Sequence, residues 1–126
     1  MTAMPRKTVL IVDDDFAIRR LLEVCLRTLP VAQFTVADGA GALEVLQREK
    51  IDLVVADLMM PSVSGFDLVR SMRADPALKH TPVILLSCLG NPELPTEAEA
   101  AGVQAYFVKP FSPSRLIAAA RQFLAL

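Results

Sequence analysis

The sequence has few residues suited to soft-metal chemistry: two cysteines and one histidine among 126 residues. Cys25 and Cys88 lie far apart and make no CxxC pattern, and His80 stands in a polar stretch with no Cys or His neighbour. The ligand spacing of a zinc site is therefore missing. Cys25 falls on an apolar helical stripe, where a thiol packs as a small hydrophobe. Neither sign of charge is in excess, since the formal net charge is −1. That leaves no electrostatic reason to expect nucleic acid or an anionic membrane as a partner. No apolar run approaches the roughly 20 residues that a membrane-spanning helix needs. Behind Arg6 and Lys7 there is no apolar core of a signal peptide: Val9 to Val12 is apolar, but three aspartates follow at once. These absences fit a reduced, cytoplasmic setting.

What is present is apolar. Hydrophobic residues make up 53 % of the chain, enough for one ordinary domain with a real core and too many for disorder. We expect a single domain over residues 1–126, with its core over about residues 6–124. The organising stretch is Ile51 to Pro61. It opens as a β-branched apolar run, the mark of a strand buried on both faces in a parallel sheet. The strand, expected over Asp52–Ala56, stops at Asp57. Met60-Pro61 then forces a turn, because proline cannot continue a central strand.

The same alternation runs along the chain. Thr8–Val12 is a strand that meets Asp13-Asp14-Asp15. Ile18, Leu21, Leu22, Cys25, Leu26 and Leu29 form one helical stripe, with Asp14 and Asp15 suited to its start. Phe34–Ala37 is a second strand, and a helix over about Ala40–Glu49 buries Leu43 and Leu46. Phe66, Val69 and Met72 begin a third stripe, which Asp75-Pro76 closes. Val83–Leu86 is a strand without polar side chains, ending at Ser87. Residues Leu89 to Pro95 are poor in helix formers and read as a loop, the most mobile part of the domain, with a short helix from about Thr96 to Ala101 that Gly102 caps. Val103–Val108 is the last strand. Ser112 caps a final helix, with Pro113 in its first turn and Leu116, Ile117, Ala120, Phe123 and Leu124 buried. Five strands alternating with five helices specify an α/β fold, a parallel sheet covered on both faces.

In such a sheet the strand ends share one edge, and ligands bind there. That edge would collect Asp13, Asp14, Asp57, Ser87 and Lys109. Converging carboxylates resist ionising together, and a divalent cation with hard oxygen ligands removes that cost, which suits Mg²⁺. A cation, an ammonium and a hydroxyl around one aspartate can orient a phosphoryl group, and aspartate is a nucleophile able to form an acyl phosphate.

Four pieces together, Val9–Asp15, Asp57–Pro61 with Gly65 after it, Leu85–Ser87 and Tyr106–Phe111, resemble the receiver domain of bacterial two-component response regulators, over about Arg6 to Leu124. The resemblance implies a flavodoxin-like doubly wound sheet, strand order 2-1-3-4-5. It implies a phosphorylation-dependent switch that takes its phosphoryl group from a sensor histidine kinase or a phosphotransfer protein and changes its output face. Asp57 matches the phosphoacceptor, and Asp13, Asp14 and the Met59 backbone carbonyl match the Mg²⁺ ligands. Ser87 matches the switch hydroxyl, Lys109 the phosphate-binding lysine and Tyr106 the aromatic switch. Lys109-Pro110 is expected in the cis form. The face of the fourth helix, fifth strand and fifth helix is the one through which many receivers signal or form homodimers. Such a domain acts only on itself: it catalyses its own phosphorylation and a self-dephosphorylation that is slow here, since Met59 and Leu89 cannot orient water. A haloacid-dehalogenase-like phosphohydrolase also uses a strand-end aspartate and Mg²⁺, but it wants an Asp-x-Asp signature with the nucleophile first, and no cap-domain sequence follows here. A degenerate receiver used only for docking would not need the full set of five side chains. We expect no DNA-binding or enzymatic output domain within these residues, which read either as a stand-alone receiver or as the receiver part of a longer regulator.

Overall fold

The computed structural model describes residues 6–88 and 93–126. The elements in chain order are β1 (Lys7–Val12), α1 (Phe16–Leu26), β2 (Val31–Val36), α2 (Gly39–Arg48), β3 (Leu53–Asp57), α3 (Gly65–Ala74), β4 (Val83–Ser87), α4 (Leu94–Ala101), β5 (Ala105–Val108) and α5 (Pro113–Phe123). The strands pair in parallel in the order β2-β1-β3-β4-β5. Both the α/β alternation and the strand order agree with the expectation from the sequence.

Successive side chains of a strand point to opposite faces, and here each face has its own core. Leu10, Val12, Val54, Ala56, Val83 and Leu85 pack with Leu46, Leu68, Met72 and Ala98 from α2, α3 and α4. Val9, Ile11, Leu53, Val55, Ile84 and Leu86 pack with Leu22, Leu26, Leu116 and Ala120 from α1 and α5. Burial on both faces is what allowed β1, β3 and β4 to be read as continuous apolar runs.

The caps hold the helices where the strand ends leave them. Asp15 accepts from the Ala17 and Ile18 amides at the start of α1, Asp38 from Gly41 at α2, and Ser112 from Arg115 at α5. Ser64 and Asp67 form a reciprocal capping box on α3. Gly102 ends α4 with φ +91°, a left-handed conformation that favours glycine.

Several boundaries differ from those expected. β2 begins at Val31, directly after Pro30, because the whole of it pairs with β1 from Lys7↔Val31 to Val12↔Val36. As an edge strand it carries Gln33 and Thr35, which hid its first half. β3 includes Asp57 as its last residue. α2 is shifted by one residue toward its Asp38 cap. β5 starts at Ala105, since the Val103 amide instead bonds the Ala98 carbonyl at the end of α4. α4 begins at Leu94, two residues early, with Pro95 in the first turn, where a missing N–H costs nothing. Leu21 is 41 % exposed and Ile18 only half-buried, so the α1 face in contact is Leu22, Cys25 and Leu26, with Leu29 beyond the helix. Leu43, Phe66, Ile117 and Phe123 are half-buried at the core margins. Residues 89–92 of the expected loop lie outside the described residues, so the mobility expected there and the role of Leu89 do too.

One side chain ties two connections together, the one between α3 and β4 and the one between α4 and β5. Arg73 of α3 donates to the Gly102 carbonyl from Nε (3.2 Å) and Nη2 (2.9 Å). It also reaches the carbonyls of Leu78 (3.2 Å) and Lys79 (3.1 Å), and Gln104 Oε1 (3.2 Å). Gln104 Oε1 in turn accepts from the Val83 amide at 2.7 Å.

Candidate functional site

β1, β3, β4 and β5 end side by side, and their last residues bring the predicted groups together. Asp13 follows β1 and is fully buried. Its Oδ1 accepts from the Asp15 amide at 2.8 Å and its Oδ2 from Lys109 Nζ at 3.0 Å. Asp57 ends β3, is 6 % exposed, and its Oδ1 lies 3.4 Å from the same Nζ. The Met59 amide donates to Asp57 Oδ1 at 3.3 Å. Asp14 is exposed, yet one oxygen from each of Asp13, Asp14 and Asp57 lies within 4.8 Å of the others. Ser87 ends β4, fully buried, one step beyond the Asp57↔Leu86 pair. The Ser87 carbonyl accepts from the Lys109 amide at 2.7 Å, which fixes where the lysine leaves β5. Lys109-Pro110 is cis, as expected. Tyr106 of β5 is half-buried against the core of the α2–α4 face. The Met59 side chain is 54 % exposed beside Asp57.

Asp57 is held above the usual carboxylate range. Burial is the main cause and the negative charge of Asp13 adds to it, against the opposing pull of Lys109 and the Met59 amide. For Lys109, burial is the largest influence and acts against the charged form. The hydrogen bond and charge of Asp13, then those of Asp57, outweigh it, so the ammonium is held above its ordinary range. The site is thus three carboxylates with one ammonium between two of them. Three hard-oxygen donors so close together fit a small divalent cation, and Mg²⁺ typically takes one or two carboxylates directly and fills its other positions with water. Cys88, next to this edge, is exposed; Cys25 is buried, which pushes its thiol up. His80 is exposed and apart from the site.

A model of the response regulator receiver domain family matches residues 9–121. The chain belongs to this family. It is 41 % identical to chemotaxis protein CheY-3 of Vibrio cholerae over 109 residues, 86 % of this chain and 84 % of that protein. It is 38 % identical to the probable transcriptional regulator ycf27 of Cyanophora paradoxa, over 94 % of this chain and 48 % of that protein. The solved structure of chemotaxis response regulator CheY4 of Vibrio cholerae overlays with a TM-score of 0.86 at 32 % identity, covering 94 % of this chain and 99 % of that one. Receiver domains are phosphorylation-dependent signalling switches that work with histidine kinases or phosphotransfer proteins and bind Mg²⁺. Among the described residues of this receiver, no helix is long and apolar enough to cross a membrane.

Two supports of the receiver site show their contacts only in the structure: Arg19, which the sequence reading missed, and Gly65, which it noted only as part of the resemblance. Arg19 Nη1 donates to the Asp13 carbonyl at 2.7 Å. The sequence signal is only a basic residue four after Asp15. Gly65 packs where no side chain fits: a Cβ there would lie 2.8 Å from the Asp57 carbonyl oxygen and 2.9 Å from Leu85 Cδ2. Gly65→Ala should therefore press on the end of β3 itself. Overpacking of this kind costs about 1–3 kcal/mol, and urea denaturation should show it, together with slower phosphoryl uptake. An unchanged urea midpoint would mean that the loop gives way freely.

Proposed function

We propose that residues 1–126 act as one receiver domain in which Asp57 accepts a phosphoryl group. The observation that carries this is the Lys109 ammonium set between the buried Asp13 and Asp57, 3.0 and 3.4 Å from their carboxylates. The donor is a phosphohistidine of a sensor histidine kinase or a phosphotransfer protein. An Asp57 oxygen attacks phosphorus, the P–N bond of the donor breaks, and the imidazole leaves and takes a proton from solvent. Asp13, Asp14, Asp57 and the Met59 carbonyl would hold Mg²⁺, which when bound neutralises charge on the transferring phosphoryl group. Lys109 is already beside Asp57 and needs little movement to meet an incoming phosphoryl oxygen. Ser87 offers a hydroxyl at the end of the neighbouring strand. Drawing that hydroxyl toward the phosphate shifts the population toward a state with Tyr106 turned inward, which alters the α4–β5–α5 face. That face is the surface we assign to output and to homodimerisation. The test is acetyl phosphate with Mg²⁺, followed by peptide mass spectrometry. One phosphoryl group on the Asp57 peptide is expected; labelling elsewhere would refute the assignment.

Asp14→Ala should lower Mg²⁺ affinity by at least about tenfold, since it removes a charged ligand from a hard-cation site. It also relieves repulsion within the cluster, so the metal-free protein should melt no lower than the native one. A marked drop in melting temperature without Mg²⁺ would contradict the repulsive cluster.

Met59 beside Asp57 cannot hydrogen-bond the water that hydrolyses an acyl phosphate. We therefore assign a slow self-dephosphorylation to this receiver. Met59→Asn should shorten the life of phospho-Asp57 several-fold, because the amide can orient that water. Equal decay in the two proteins would remove the shielding role.

A further inference from the structure

Asp13 is held at four atoms. Its amide donates to the Val36 carbonyl at 3.2 Å, its two carboxylate oxygens accept from the Asp15 amide and Lys109, and its own carbonyl accepts from Arg19 Nη1 at 2.7 Å. Arg19 stands one turn into α1, and its backbone amide bonds the Asp15 carbonyl at 3.0 Å. Its guanidinium carbon lies 5.6 Å from the centroid of the Phe16 ring. Phe16 is 66 % exposed, so core packing does not explain it; as a platform for a planar guanidinium it has a use. Asp14 is in the opposite position. Among the described residues its side chain has no hydrogen-bond partner, so its direction is set by the backbone it stands on. The Asp13 carbonyl and the Asp14 Cα belong to one rigid peptide plane. Fixing that carbonyl fixes the plane and with it the N–Cα bond of Asp14, the axis from which its carboxylate is carried toward Asp13 and Asp57.

We propose that Arg19 is a positioning residue of the phosphorylation site, which aims Asp14 through the Asp13 carbonyl and is itself held in place by the Phe16 ring. The inference rests on reading Asp13, Asp14 and Asp57 as a Mg²⁺-dependent phosphoacceptor site. Its sign separates it from simpler roles. A fixed positive charge near a cation site repels the cation, so by charge alone Arg19→Met would tighten Mg²⁺ binding. A residue needed only for folding would lower the melting temperature and leave affinity alone. Aiming a ligand predicts weaker binding despite the lost positive charge.

The experiment is calorimetric titration of Mg²⁺ into the native protein, Arg19→Met, Arg19→Lys and Phe16→Ala, with melting curves and acetyl phosphate labelling of each. Removing an outer partner of a ligand costs about 10–100-fold in metal affinity. Arg19→Met should bind roughly tenfold more weakly. Arg19→Lys should fall between, because a lysine donates to the carbonyl but does not stack as a plane. Phe16→Ala, which removes an exposed ring, should lose about threefold. Equal or tighter binding by Arg19→Met overturns the proposal. If that variant does not fold, Phe16→Ala decides, and an unchanged affinity there overturns it. A native protein that neither binds Mg²⁺ nor takes up a phosphoryl group refutes the functional reading and this inference with it. Native binding with unmoved variants refutes the inference alone.

Discussion

Asp57→Asn should take up no phosphoryl group and yet, without metal at neutral pH, melt higher than the native protein. The first half follows from losing the nucleophile. The second follows from the raised pKa of Asp57. A carboxyl whose folded-state pKa lies above its ordinary 3.8 favours folding when protonated. That contribution is complete below the ordinary pKa and is lost as pH rises through the raised value. At neutral pH the ionised Asp57 therefore weakens the fold. Asn keeps the shape and removes the charge, while Lys109 retains Asp13 at 3.0 Å. A gain of about 1 kcal/mol, or a few degrees in Tm, is the expected scale. The gap should close near and below pH 4, where the native carboxyl is protonated. Mg²⁺ should raise the native Tm and leave the variant nearly unmoved. Melts at two pH values, with and without Mg²⁺, check all of this; a variant that melts lower at neutral pH would be contrary to it.

Lys109→Met should act with the opposite sign. The ammonium stands between two buried carboxylates, and removing one partner of a buried ion pair costs roughly 3–5 kcal/mol. The exposed side at Asp14 admits water and reduces this to about 2–3 kcal/mol. Because the lysine is held above its ordinary range, its contribution is complete below that range and is lost only at strongly alkaline pH. The loss in the variant is therefore full at neutral pH. It should shrink in acid, as Asp57, whose carboxyl is held above its ordinary range, takes up a proton. Saturating Mg²⁺ should restore much of it by supplying positive charge to the same oxygens. Urea midpoints at pH 7.5 and 4, with and without Mg²⁺, test this. Equal midpoints for the two proteins at pH 7.5 would show that Lys109 is not the counter-charge of the metal-free site. A stabilising Asp57→Asn beside a destabilising Lys109→Met would be hard to obtain from any site that is not short of positive charge.

The parts of the fold that were legible in the sequence are those whose burial leaves a pattern. β3, β4 and the Val9–Val12 part of β1 are covered on both faces, so they read as apolar runs, and the polar residue that ends each one stands out. The site inherits that clarity, since Asp13, Asp57, Ser87 and Lys109 are all strand-end residues. β2 was half hidden because an edge strand needs only one good face. α4 was shortened in the reading because Pro95 looks like a breaker and only its place in the first turn makes it harmless. Arg19 and Arg73 were missed for a shared reason: each bonds chiefly backbone carbonyls, which every residue has, and the side chains they also meet, Phe16 and Gln104, carry no charge to mark the contact. The roles given to Ser87, Tyr106 and the Met59 carbonyl came from the family pattern and not from periodicity or charge.

The Arg73 contacts fix one end of α4. Two of its nitrogens grip the Gly102 carbonyl, at the carboxyl end of the helix. A rod tethered at one end transmits by leverage. Eight residues of helix make an arm about 12 Å long, so a 10° turn at Gly102 carries Leu94 through about 2 Å. The residue with φ +91° is the bearing, and Leu94, at the other end of the rod, is the pointer. A rearrangement that turned α4 would be largest at its start, where it must also shift Leu94 in the core, while Gly102 and Gln104 stay in register with α3.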